Sequence, residues 1–283
     1  MAEEEMENCS HQCGSCGAGN CGSRTEGPVY FQQNDGTNIK HVIAVVSGKG
    51  GVGKSLVTSL LAVQMQKKGL KVGILDADIT GPSIPRSFGI TDQVGITEEG
   101  IYPCTSECGI KVMSTNLLLP AEDTPVAWRG PVLSGILGQF YTDVIWGDLD
   151  VLLVDMPPGT SDVFLTMFHQ FPVEGIVMVS APQDLVGMIV GKAVNLAHDM
   201  GKDVIGLVEN MAYFICDGCD KKHYIFGEPQ AKAIAEKYEI PAYATLPIDP
   251  KFAALVDVGK VSEYDVEDAL DTIIDKINEV IAE

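Results

Sequence analysis

A chain of 283 residues with 46% apolar content is long enough to bury one substantial core, and α/β proteins of this size commonly form one domain. Its 39 acidic residues against 19 basic ones leave a formal net charge of −20, so most of the surface repels DNA, RNA and anionic lipid, and nucleic-acid and membrane partners are set aside. No apolar run reaches the roughly 18 residues of a membrane span, and the opening Met1-Ala2-Glu3-Glu4-Glu5-Met6-Glu7 is acidic where a secretory leader is basic, so the expected location is the cytoplasm.

In chain order, residues 1–40 come first, rich in Gly, Ser, Asn, Gln and acid with almost no apolar periodicity, and are expected to form a flexible arm. Four of the eight cysteines fall in it as Cys9-x3-Cys13-x2-Cys16-x4-Cys21. In a reducing compartment such spacing points to metal, either an iron-sulfur cluster or zinc, ahead of disulfides. Residues 41–283 are expected to form the single folded domain. It opens on a β-branched apolar run, 41–47, suited to a strand covered on both faces.

Directly after that strand stands Gly48-Lys49-Gly50-Gly51-Val52-Gly53-Lys54-Ser55, a G-x-x-x-x-G-K-S phosphate loop in the strand-loop-helix setting that the motif requires. Glycines let successive N–H groups turn inward as an anion nest. Lys54 brings a point charge to the β/γ-phosphates, and Ser55 offers a hydroxyl to Mg2+ at the start of a helix whose dipole favours anions. The pattern specifies a nucleoside triphosphate site.

Helical spacing follows at 56–68, 132–144 and 185–200, interleaved with apolar runs at 71–76, 110–113, 151–155, 175–180 and 204–208. That alternation predicts an α/β fold: a doubly wound, mostly parallel sheet in three layers. Asp76 and Asp78 end one run and Asp155, followed by Met156-Pro157-Pro158-Gly159, ends another, where a parallel sheet presents its ligand site. Cys104 and Cys108, flanked by Pro103 and Gly109, are read as an unliganded pair in a loop. Cys216-Asp217-Gly218-Cys219 offers two thiolates to one metal, which is half of a tetrahedral or cluster site. A four-cysteine zinc site shared by two chains and a redox dithiol are the alternatives. In the tail, Val266, Leu270, Ile273, Ile274, Ile277 and Ile281 form one stripe of a packed surface helix.

With its second lysine, Lys49, the phosphate loop resembles the deviant Walker A loop of the P-loop family that contains MinD, ParA, nitrogenase iron protein and the Mrp/ApbC iron-sulfur carriers. The resemblance implies a nucleotide-sandwich homodimer in which Lys49 reaches the partner's phosphates, so that Lys49, Lys54 and Asp78 form the catalytic set. It further implies that Ser55, Asp78 and Asp155 serve Mg2+, Asp155 as the Walker B carboxylate that holds it through water and Asp78 as the switch carboxylate that orients the attacking water or a metal-bound water. Asn210 and the segment around Pro247 and Asp249 would line the adenine of ATP. The C-x-x-C after Asn210-Met211 narrows the likeness to the Mrp/ApbC/Nbp-type carriers, in which Cys216 and Cys219 of two copies share a 4Fe-4S cluster for delivery to apo-proteins. The arm resembles the N-terminal cluster motif of the same carriers with altered spacing. A MinD/ParA-like positioning ATPase with zinc sites is the alternative, and its expected basic tail is absent here because residues 265–283 are mainly acidic.

Overall fold

The computed structural model describes residues 30–78, 81, 83–119, 130–159, 162–182 and 186–282. Alternate residues of a strand face opposite sides, so a run in which every residue is buried must be covered twice. The strand β1 (Thr37–Ser47) meets that condition throughout its last six positions. The same holds for the ends of β7 (Gly147–Asp155) and β8 (Val173–Ser180), and helices therefore cover both faces of the sheet.

The order of elements is β1, α1 (Lys54–Lys67), β2 (Val72–Asp76), the short α2 (Ile84–Ser87), β3 (Gly95–Ile96), β4 (Ile101–Tyr102), β5 (Cys104–Thr105), β6 (Lys111–Ser114), α3 (Gly130–Thr142), β7, α4 (Asp162–Gln170), β8 and α5 (Val186–Asp199). Then come β9 (Val204–Ile215), β10 (Lys222–His223), α6 (Ala231–Lys237), β11 (Tyr243–Pro247), α7 (Pro250–Asp257) and α8 (Asp271–Val280). Among the described residues nine strands form one sheet in the order β5-β6-β2-β7-β1-β8-β9-β11, with β10 on the far end of β9. All neighbours are parallel except the outlying β5 and β10. This is the expected doubly wound α/β architecture. No helix among the described residues is long and apolar enough to cross a membrane.

Three boundaries differ from expectation, each for a physical reason. Residues 30–40, assigned by composition to the arm, belong to the folded body. Phe31 packs edge-on against Phe171 at 5.5 Å, Asn34 Nδ2 donates to the carbonyls of Thr142 and Val144, and the Gln33 side chain bonds both the N–H and the C=O of Ile39. Side-chain hydrogen bonds anchor this stretch, and apolar periodicity does not report them. The strand read from the apolar run 204–208, with Asn210 at its end, runs on to Ile215, and it bulges where Glu209 pairs with Thr245 but Tyr213 pairs with Pro247. Met211, inside the bulge, sits at φ 57°, a left-handed conformation that marks a bend in the strand. Finally, only the second half of the tail stripe is helical. Val266 and Leu270 are buried ahead of α8, whose Ile273, Ile274 and Ile277 lie fully buried beneath an acidic outer face.

Candidate functional site

Six residues separate β1 from α1 and form the phosphate loop at the carboxyl end of the central strand. Gly53 caps α1 at φ 81°, and a Cβ there would stand 2.2 Å from Asn210 Nδ2. A Cβ at Gly48 would stand 2.1 Å from Ile189 Cγ2. The two ends of the loop are thus packed against α5 and β9 with room only for glycine.

Lys54 opens α1 and is 6% exposed; its Nζ lies 2.6 Å from Oδ2 of the fully buried Asp155 at the end of β7. Ser55 Oγ donates to the same oxygen at 2.5 Å, and Thr58 Oγ1 donates to Oδ1 at 2.6 Å. A buried carboxylate is tolerated when its lone pairs are filled in this way. Sequence reasoning named Lys54, Ser55 and Asp155 but missed Thr58, whose place one turn beyond Lys54 on the inner face of α1 is the available signal. The following loop lies along the phosphate loop: Gly159 N donates to Ser47 O at 2.9 Å, and a Cβ on Gly50 would sit 3.9 Å from Pro158. Lys49 is exposed at the start of the loop, Gly51 takes φ 82°, and Asp78 is part-buried on the turn after β2.

Asp76, parallel-paired with Asp155 across β2 and β7, is fully buried. It accepts from Ser114 Oγ and from the N–H of Asp78, both at 3.2 Å, and so shapes the turn that carries Asp78. Its carboxyl is pushed up to about 8, first by burial and then by the Asp155 charge, against the pull of Lys54. The folded chain therefore keeps a proton that the unfolded chain, at 3.8, gives up, and this acid makes stability fall as pH rises from 3.8 to about 8. Asp76→Asn should remove that slope, on the order of 1 kcal/mol per pH unit, in urea unfolding followed across the window without nucleotide or Mg2+. A variant whose pH profile parallels the wild type's would show that Asp76 is ionised in the fold.

On the other side of the loop, Asn210 Nδ2 donates to Val52 O at 3.0 Å, so the amide expected to meet a base also braces the phosphate loop. A cavity of about 250 Å³ opens beside it, bounded by Leu60, Tyr213, Leu246, Pro247, Asp249 and Phe252 among others. The structure thus gathers Asn210, Pro247 and Asp249 around one cavity.

The cysteine pair follows the same strand. Ile215 ends β9, and Cys216 to Asp220 form the turn into β10, with Cys216 N bonded to Lys221 O at 3.0 Å and Asp220 N to Cys216 O at 2.9 Å. The Cys216 thiol is drawn below its ordinary range by the N–H of Gly218 first, then by Cys219. Cys219 is exposed, and Ile215, Tyr224, Ile225 and Phe226 add an exposed apolar rim. Among the described residues no group of three or more His, Cys, Asp or Glu side chains is placed to hold a metal, so the pair is two ligands and no more. Cys104, expected in a loop, lies in β5 with its thiol on Asp92 O, and Cys108 meets Ser106 Oγ at 3.2 Å. Cys9, Cys13, Cys16 and Cys21 lie outside the described residues.

A glycine-cradled loop at a strand end, with a buried lysine against a strand-end carboxylate, defines a P-loop protein of the nucleoside-triphosphatase class. Residues 38–282 match the family model described as ParA, NUBPL iron-transfer P-loop NTPase. The chain is 49% identical over 264 residues to the iron-sulfur cluster carrier protein of Clostridium perfringens, spanning 90% of this chain and 92% of that one. It resembles the nucleotide-binding protein of Archaeoglobus fulgidus, solved in complex with ADP, with a TM-score of 0.73 and 46% identity over 80% of this chain and 89% of that one. It shares its fold with the cell division ATPase MinD of Pyrococcus furiosus, with a TM-score of 0.62 and 21% identity over 86% of this chain and 100% of that one. The chain belongs to the iron-transfer P-loop NTPase family.

Proposed function

We propose that this protein is an ATP-dependent carrier that holds a 4Fe-4S cluster between two copies of itself and passes it to apo-proteins. The observation that carries the reading is the thiol pair, half-buried Cys216 and exposed Cys219, just past the end of the strand whose Asn210 braces the phosphate loop. Two thiolates per chain make half of a four-thiolate site, and a second copy supplies the other half. The name carried by the Clostridium relative and the ADP in the Archaeoglobus structure support the same reading.

The residues present fit a Mg2+-nucleotide. The donor set of Lys54, Ser55, Thr58 and Asp155 is of the right chemistry, the middle of the loop at Gly50 and Gly51 is open to a ligand, and Ser47 Oγ at its start is buried without a hydrogen-bond partner. Mg2+ would be held by Ser55 and by Asp155 through water, with Asp78 close by on its turn, and it supplies charge neutralisation to the phosphates. Lys54 exchanges Asp155 for phosphate oxygens, the loop N–H groups of residues 48–53 orient the β/γ-phosphates, and Asp78 positions the attacking water. Lys49, exposed at the face of the loop, reaches the phosphates of the second copy, so hydrolysis is slow until two copies close. Cys9, Cys13, Cys16 and Cys21 supply a second four-thiolate set in each chain, and the protein works in the cytoplasm.

The direct test is transfer. Protein reconstituted anaerobically with iron and sulfide, then separated from free iron, is mixed with an apo 4Fe-4S enzyme in the presence of a chelator. Recovery of enzyme activity in proportion to cluster supplied, faster with ATP and Mg2+ than without, is the expected result. No recovery from a fully loaded protein would exclude the carrier role.

A further inference from the structure

A carboxylate that faces a purine selects guanine, because it accepts from the N1–H and the exocyclic N2 amine, and it repels the lone pair that adenine presents at N1. The cavity beside Asn210 contains such a group in Asp249. Both of its oxygens are engaged within the wall. Oδ1 accepts from the N–H of Lys251 at 2.8 Å, capping α7, and Oδ2 accepts from Tyr264 OH at 2.9 Å. Tyr264 is itself fixed against Phe252, ring centroids 4.4 Å apart. Burial, and then the bond to Asp249, push the Tyr264 phenol well above its usual range, so it stays a donor at any working pH. The other acids at this cavity, Asp265 and Glu267, are exposed, and Asp265 Oδ1 is taken by the N–H of Glu267 at 3.0 Å; in contact with water they discriminate weakly.

We infer that Tyr264 is a specificity-determining residue: by donating to the half-buried Asp249 carboxylate it draws an anionic acceptor that would read guanine back toward the wall, and so turns the site toward adenine nucleotides. The inference rests on the nucleotide-site reading above and adds the choice of base to it.

The experiment is calorimetric titration of the full chain with ATP and with GTP, each with Mg2+. The wild type should prefer ATP. Tyr264→Phe, which keeps the ring but frees Oδ2, should narrow the ATP-to-GTP affinity ratio about tenfold, the worth of one hydrogen bond to a charged group. Adding Asp249→Asn, which still caps α7 but carries no anionic acceptor, should abolish the narrowing. A merely structural tyrosine would weaken both nucleotides together and leave the ratio where it was, and that outcome overturns the proposal. So does a wild type that takes GTP as tightly as ATP. A wild type that binds neither nucleotide fails at the P-loop itself, and both readings fall.

Discussion

Serine at both Cys216 and Cys219 is expected to abolish the shared cluster outright. Each copy offers two thiolates and, among the described residues, no third ligand stands nearby, so the double substitution removes every protein ligand from that site in both chains. A serine hydroxyl ionises far less readily than a thiol already drawn down by the Gly218 N–H, and it binds iron poorly in exchange. After anaerobic reconstitution, the wild type should carry labile iron and sulfide at the interface plus whatever the N-terminal cysteines hold, and the variant only the latter. Quantifying iron, sulfide and zinc per dimer decides it. Stoichiometric zinc without sulfide, unchanged by reconstitution, would leave a nucleotide-binding protein with metal sites and no cargo. The substituted turn is exposed and outside the core, so the unfolding midpoint provides a check that the effect is local.

Lys54→Ala should produce the second large effect, and in two quantities at once. Removing the ammonium takes away the point charge on the β/γ-phosphates, with a loss of hydrolysis on the order of 10²–10³-fold by analogy with the deletion of one transition-state donor. It also strands the Asp155 carboxylate, which is wholly buried and keeps only the Ser55 and Thr58 hydroxyls. Breaking a buried pair from one side costs about 3 kcal/mol or more, so the variant should unfold at lower urea even without nucleotide. Lys49→Ala provides the contrast. That side chain is exposed, so stability should change by less than about 0.5 kcal/mol, while phosphate release falls because closure of the two copies is lost. Equal stability losses at Lys49 and Lys54 would contradict the burial that separates them.

The parts of this molecule that were legible in the sequence are the local ones. The phosphate loop needs only eight consecutive residues and the strand before it, and β2, β7 and β8 show as apolar runs because both faces of the sheet are covered. What escaped depends on contacts between distant positions. Glu209 and Asn210 interrupt the apolar pattern of β9, so the strand that links the nucleotide side to the cysteines looked finished at Asn210. Residues 30–40 looked like linker because one aromatic ring and a few amide side chains do the anchoring. Thr58 on Asp155 and Tyr264 on Asp249 are tertiary hydrogen bonds that belong to no motif, and only the fold brings them together.

That anchoring of residues 30–40 fixes where the described chain begins relative to the cysteine turn. The chain enters the folded body at the amino ends of the strands, where Lys202 lies over the Tyr30 ring at 5.5 Å just ahead of β9, whereas Cys216 stands past the carboxyl end of the same strand. Twelve residues of β9 separate these two poles, about 40 Å at about 3.3 Å per residue. Tyr30 and the cysteine turn therefore stand at opposite poles of the sheet.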